Sequence, residues 1–541
     1  MASHLRSTPG TTLLGHGRPR ICAWSTRWTC SLLAALVLAT AGGAASAQTK
    51  PIWQETLPNK PMALDTTDFR TGLVQTKTGL FAVELETGKH VWTRTDVTRY
   101  ELVPDTPFAL FTTAEGQTLG NLESGTDVWK VASLGLSKVE GMLHLGKQGM
   151  VLVYGPPSET GHAVVAVKYE TGEVLWKQTD LFTAPSLSSK AKKNKYHNYL
   201  ADTDQSVVLD PSIDGLMRLD LATGRVLWRL AEDRLPVSLG REITLFAAGG
   251  QILVEYGKTL MAINQETGKI VWTLEDDFFS SAVVQVASTP YGLLVRGAYN
   301  VRGAMSLVGR PGTSAWNPYL AMLDPATGAA KWHNKKGTYK GRSEFLVEDD
   351  TAVVALEEGV AIHDLATGKV QKTVRLPKFS GDETACCLKR LEDGRLFMWS
   401  SQNMRMLDPT LKLTYSVYFK APGMSGIAKF ATVAPAAGAA GAMSAASGGT
   451  YTMTTTPGAD FYSKFKATTT TERYSYIFAE DVGPGPTKFA LLRIDNETGK
   501  DTGRVWFADR FPVFKVDPDS GVVLTAKGPV LSALRCAPAP K

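Results

Sequence analysis

Residues 80–92 read LFAVELETGKHVW, and the reading of that stretch decides the fold. Its first half has the alternation of a half-buried strand. Thr87-Gly88 then supplies a tight turn in which glycine is free to take positive φ. A second short strand follows and ends on Trp92. Strand, turn and returning strand make a β-hairpin.

The hairpin is written again along the chain. It recurs as VVAVKYETGEVLW (164–176), LMRLDLATGRVLW (216–228), LMAINQETGKIVW (260–272) and LAMLDPATGAAKW (320–332), with a degenerate copy, TLGNLESGTDVW (118–129). VAIHDLATGKVQK (360–372) has Lys372 in the tryptophan position, MRMLDPTLKLTY (404–415) has Tyr415 near it, and LLRIDNETGKDTGRVW (491–506) reads as a copy with an insertion. The repeat residues are therefore Trp53, Trp92, Trp129, Trp176, Trp228, Trp272, Trp332 and Trp506, with turn glycines Gly88, Gly172, Gly224, Gly268, Gly328 and Gly368. Between copies lie two further strand-like runs, such as EITLFAAG and QILVEYG before Trp272. Four short strands in a unit of roughly 40 to 45 residues is the pattern of a propeller blade.

The pattern A-x-D-x-x-T-G-x-x-x-W resembles the tryptophan-docking repeat of the pyrroloquinoline quinone (PQQ)-like propeller family. Residues 82–92, 166–176 and 262–272 match it best, with Glu84, Lys168 and Asn264 at the Asp position. The resemblance implies that the tryptophan of one blade packs on the next. It is similar in repeat type to the outer-membrane assembly factor propeller and to quinoprotein dehydrogenases. The expected fold is all-β: a single closed β-propeller of four-stranded blades, about eight to ten in number. Closure is expected from IWQETL near residue 53, an isolated last strand, joining three strand-like runs at the C-terminus and removing the exposed sheet edges.

Residues 1–47 carry Arg6, Arg18, Arg20 and Arg27, then CSLLAALVLATAGGAA and a small-residue ASA site. This is the layout of a secretory signal peptide cleaved near Ala47, leaving the propeller as 48–541. The apolar run is short of the roughly 20 residues of a membrane span, and Gln48 rather than cysteine follows it. A periplasmic or secreted, monomeric protein is expected, with no transmembrane segment in the mature chain. The formal charge of +6 contains the leader's four arginines, so the remainder carries +2. That balance argues against nucleic-acid binding. Three segments stand out as excursions from blades: the Ala/Gly/Ser/Thr-rich insertion 431–460, the lysine-rich 188–199 (Lys190, Lys192, Lys193 and Lys195, with Lys177 upstream), and 298–319. Inserted loops on propeller faces are where partners bind.

Cys386 and Cys387 are the candidate cofactor residues, because the resembled PQQ-dependent alcohol dehydrogenases place a disulfide between adjacent cysteines against the quinone. The alternative is that one cysteine faces a core while the other pairs with Cys536 or stays a thiol. Asp202, Asp204, Asp210 and Asp214 fit no oxygen-ligand loop and read as solvated turn aspartates. His90, His144, His162, His197, His333 and His363 are scattered without metal-ligand spacing, and no catalytic residue is assigned. The expectation is a non-catalytic, extracytoplasmic scaffold that binds a protein or envelope component, with no cofactor and no metal. The alternative is a quinoprotein dehydrogenase for an alcohol or sugar, holding PQQ with calcium.

Overall fold

The computed structural model describes residues 49–536, apart from 104–105, 138, 140, 156–162, 180, 182–197, 211–214, 232–243, 257–258, 276–281, 299–317, 335–343, 384, 386, 401, 421, 423–467, 481–488 and 511. The leader and its cleavage site, the 431–460 insertion and most of the two other excursions lie outside the described residues, as does Cys386.

Among the described residues ten four-stranded antiparallel sheets form ten blades. Blades 1 to 9 span 63–94, 99–130, 141–178, 198–230, 244–275, 282–334, 345–375, 387–418 and 468–507. Blade 10 is composite: Val513–Val516, Val522–Lys527 and Val530–Arg535 pair in order, and Trp53–Thr56 from the other end of the chain adds as the fourth strand. Helical structure among the described residues is confined to short 3-10 turns such as Val131–Leu134.

Hydrophobic burial is organised between blades. Leu73, Ala109 and Phe111 share a core across blades 1 and 2, and Tyr476, Val505 and Val523 share one across blades 9 and 10. Another core joins blade 10 to blade 1 through Leu64, Val74 and Leu524, so the cycle of shared cores returns to its start. Blades bury both faces this way, which is why second and third strands such as Thr71–Thr76 and Gly79–Glu84 are buried nearly continuously rather than on alternate residues.

The hairpin of residues 80–92 explains the junctions. A register shift beside each turn sets the fourth strand so that Trp92 lies opposite Ala82, Trp176 opposite Ala166 and Trp272 opposite Ala262. The indole then reaches the next blade: Trp176 Nε1 donates to Leu221 O at 2.8 Å, and its ring lies over Gly224. At that glycine φ is +70° and an added Cβ would stand 2.5 Å from the ring, so both conformation and contact require glycine. The same donation links Trp53 to Leu85, Trp92 to Leu122, Trp129 to Tyr169, Trp228 to Gln265, Trp272 to Pro325 and Trp332 to Leu365, at 2.8–3.2 Å. The turn itself is fixed by the residue four before glycine. Asp220 Oδ1 accepts from both the backbone N–H and the hydroxyl of Thr223, and these bonds hold its carboxyl below the usual range. Glu84 takes the Thr87 hydroxyl in the same way at 2.6 Å.

Trp506 departs from the sequence reading. Residues 495–507 contain no insertion: the turn passes directly into Asp501–Phe507, and Gly503 lies opposite Arg493 at the position tryptophan holds elsewhere. Trp506 sits three residues further, against the core between blades 8 and 9, and its backbone N–H donates to Thr49 Oγ1 at 3.0 Å. The physical reason is blade 10's composition. Its third and fourth strands come from opposite ends of the chain, so no third-to-fourth turn exists there for an indole to meet.

Candidate functional site

Two surfaces remain once the junctions are assigned: the wall around the axis and the edge carrying the long connections. First strands of neighbouring blades touch, as between blades 1 and 10, 4 and 5, 5 and 6, and 7 and 8. Side chains tie them together. Asp65 of blade 1 receives Lys515 Nζ from blade 10 at 2.6 Å and the Tyr100 hydroxyl from blade 2 at 2.6 Å. Burial, and secondarily Asp65, pushes the Tyr100 phenol well above its ordinary value, so it stays a donor. Glu348 of blade 7 takes both Nε and a terminal nitrogen of Arg390 of blade 8, each at 2.7 Å. Gln285 of blade 6 brackets the backbone of Phe345 in blade 7, donating to its carbonyl at 3.1 Å and accepting from its N–H at 2.6 Å. Glu344, at the head of blade 7's first strand, is pushed up to about 7 by burial.

Strand direction separates the two edges of the blades. In each antiparallel sheet the first-to-second and third-to-fourth turns fall at one edge, while second-to-third connections and crossings to the next blade fall at the other. The turn edge is short and regular, and both chain ends reach blade 10 there. The loop edge joins strand ends through 179–197, 231–243, 299–318, 335–344 and 419–467. One crossing at this edge, 376–386, is described almost in full. Glu383 accepts from the Ser400 hydroxyl, from Asn403 Nδ2 at 2.8 Å and from the Gln402 N–H at 3.1 Å. Arg405, buried, stacks on Phe379 at 4.1 Å and donates to Lys378 O and Ser416 Oγ; burial lowers it to about 10.

The residues singled out in the sequence do not converge. Cys387 is buried in the core between blades 8 and 9, whereas Cys536 is a buried thiol in the core between blades 9 and 10, pushed up to about 12 by burial. Asp202 is not a solvated turn residue. Its side chain is fully buried and paired with Arg218 at 2.8 Å, because Arg218 lies opposite Trp228 and also donates to Gln265 O, the carbonyl that receives the indole. Asp204 is exposed in the first-to-second turn of blade 4, Asp210 ends the second strand, and Asp214 lies outside the described residues. His90 faces Glu55 at 3.0 Å, and His144, lowered to about 4 by burial, meets the Tyr169 hydroxyl at 2.7 Å. His363 donates to Gly368 O at 3.2 Å, His333 belongs to blade 6, and His162 and His197 are outside the described residues. Lys177 Nζ donates to Leu134 O at 3.1 Å.

The axial ion pairs and the Glu383 cluster were not read from the sequence. A lone charge inside a first strand is a weak signal, and the partners of Asp65 lie up to 450 residues away. Among the described residues no three His, Cys, Asp or Glu side chains converge to hold a metal ion. Cys387 faces an inter-blade core. No helix among the described residues is long and apolar enough to cross a membrane.

The described residues form ten four-stranded blades in a propeller arrangement, with PQQ-like repeats. Residues 117–373 match the family described as outer membrane protein assembly factor BamB. No curated protein matches. Among solved structures, BamB from Moraxella catarrhalis aligns at 15% identity over 65% of this chain and 96% of that one, with a TM-score of 0.31. Quinohemoprotein alcohol dehydrogenase from Comamonas testosteroni aligns at 11% identity over 66% and 72%, with a TM-score of 0.30. A eukaryotic initiation factor aligns at 10% identity over 68% and 89%, with a TM-score of 0.38.

Proposed function

We propose that this chain is a non-catalytic, extracytoplasmic binding scaffold whose partner, a protein or another envelope component, docks on the loop edge. The observation that carries the reading is the asymmetry of the two edges: tight, repeated turns on one, and the long, dissimilar connections on the other. The buried polar side chains support it, because Asp202, Arg218 and His363 are engaged in packing blade against blade or strand against turn. The match of residues 117–373 to a family described as an outer membrane protein assembly factor supports an envelope role. Lys190, Lys192, Lys193 and Lys195, and Lys335, Lys336, Lys340 and Arg342, fall in loop-edge connections and favour an acidic partner.

The test is photo-crosslinking in envelope extract from the exposed loop-edge positions Lys77 and Glu358, against the exposed turn-edge positions Arg225 and Lys269. A product formed from the loop edge alone supports the reading. No product, or equal products from both edges, overturns it. Titration of the purified chain with PQQ and calcium addresses the dehydrogenase alternative, and a bound quinone absorbance would replace the scaffold reading.

A further inference from the structure

Each blade ends outward in a fourth strand that has no described strand on its other side. Such an edge presents unpaired backbone N–H and C=O groups and invites pairing with another chain. Nine of the ten outer strands carry at least one charged residue: Arg94 in blade 1, Asp127 and Lys130 in blade 2, Lys177, Arg229, Glu275 and Lys331 in blades 3 to 6, Lys372 and Arg375 in blade 7, Asp501 and Arg504 in blade 9, and Glu55 in blade 10. Blade 8 does not. Its outer strand, Leu413–Tyr418, reads LTYSVY, without charge, proline or glycine, and Thr414, Ser416 and Tyr418 are exposed. Aromatic and β-branched residues in a short uncharged run have the composition that favours strand addition.

We propose that this edge pairs with the same edge of a second copy of the chain, joining two propellers through blade 8. An antiparallel two-fold pairing keeps each face of the sheet continuous, so residues on the same face must oppose one another. Centring the pair on Tyr415 sets Leu413 against Val417 and Thr414 against Ser416 of the second copy, aliphatic with β-branched on one face and hydroxyl with hydroxyl on the other. The flanking charges choose this register. Centring on Ser416 would set Lys412 directly against Lys420 of the second copy, whereas centring on Tyr415 sets Lys412 against Tyr418. The other edges each place at least one formal charge within the strand itself, which pairing would have to strip of water. One six-residue edge buries less than the roughly 1,000 Å² expected of a stable interface, so the dimer is weak and concentration-dependent. This site stands on the circumference and is independent of the loop-edge reading.

Sedimentation of the full chain over about two orders of magnitude in concentration tests it. The wild-type mass should climb toward twice the monomer at the top of the range. T414K, which gives blade 8 the protection the other blades have, should remain monomeric with an unchanged thermal transition. T414V should associate like the wild type, and T414E serves as the charged variant if T414K folds poorly. A wild type that stays monomeric throughout, or a charged variant that associates as well as the wild type, overturns the proposal.

Discussion

The junctions from blade 10 through blade 7 and those from blade 7 through blade 10 solve one packing problem with different side chains. In the first arc seven indoles each cover a turn of the next blade and donate to its backbone, as Trp176 does over Gly224. In the second arc the ring is lost by steps. At blades 7 and 8, Lys372 donates to Thr410 O at 3.1 Å. The turn glycine there is Leu411, held at φ +69° with its side chain in the shared core where an indole would otherwise cover the turn. At blades 8 and 9, Tyr415 covers Gly499 and donates to Asn496 O. At blades 9 and 10, Gly503 contributes nothing, and Tyr476 reaches Pro518 O from the second strand. The fold tolerates these exchanges because each junction of the second arc keeps a buried hydrophobic core, rich in aromatic rings between blades 9 and 10, while the outer residue seals the rim. The match to the assembly-factor family ends at residue 373, within the strand that carries Lys372.

Substitution at the rim should separate the arcs most clearly. Trp176→Ala removes a buried aromatic and its hydrogen bond and should cost about 3–5 kcal/mol, whereas Lys372→Ala, at an exposed position, should cost less than about 1 kcal/mol. Denaturant midpoints for the two variants measure the difference, and equal losses would dissolve the distinction. Asp202→Ala comes next. It removes the buried carboxylate paired with Arg218 behind the Trp228 junction and leaves only the exposed Glu266 carboxylate at 3.2 Å, at about 3 kcal/mol. A loss below about 1 kcal/mol would mean that water reaches the guanidinium there. Gly224→Ala should cost about 2 kcal/mol, from positive φ and contact with the Trp176 ring together. In a Trp176→Ala background the contact part should vanish and the conformational part persist, which a double-mutant cycle reads directly.

Local rules made the hairpin, the blade and the composite tenth blade legible, because alternation, Thr-Gly turns and a stranded IWQETL are all near-neighbour signals. Trp506 misled for the same reason. Counting along the strand takes the last tryptophan as the rim residue, but the turn that would receive it is absent only because blade 10 draws on both ends of the chain. Asp202 was hidden among turn aspartates because its partner Arg218 belongs to a different strand of the sheet and its burial depends on blade 5. The axial pairs Asp65–Lys515 and Glu348–Arg390 join strands of different blades, and no spacing rule within one blade reports them.

A last predicted effect lies at the start of the second arc and is electrostatic. Glu344 opens the first strand of blade 7 and is half-buried, with its carboxyl raised from 4.5 to about 7 by burial. A raised carboxyl binds its proton more tightly in the folded chain than in the unfolded one, so stability falls as pH rises. The loss begins near the unfolded value of about 4.5, accumulates up to about 7 and is level above that. This is opposite to the paired carboxylates of the first arc. Asp220, lowered by its bonds to Thr223, contributes stability that is present above its unfolded value and is lost as pH falls. Glu344→Gln should therefore leave stability at pH 4 nearly unchanged and raise it at pH 8, flattening the decline between pH 5 and 7 in a series of denaturant titrations. A variant whose profile runs parallel to the wild type over that window would show that Glu344 stays solvated when the chain folds.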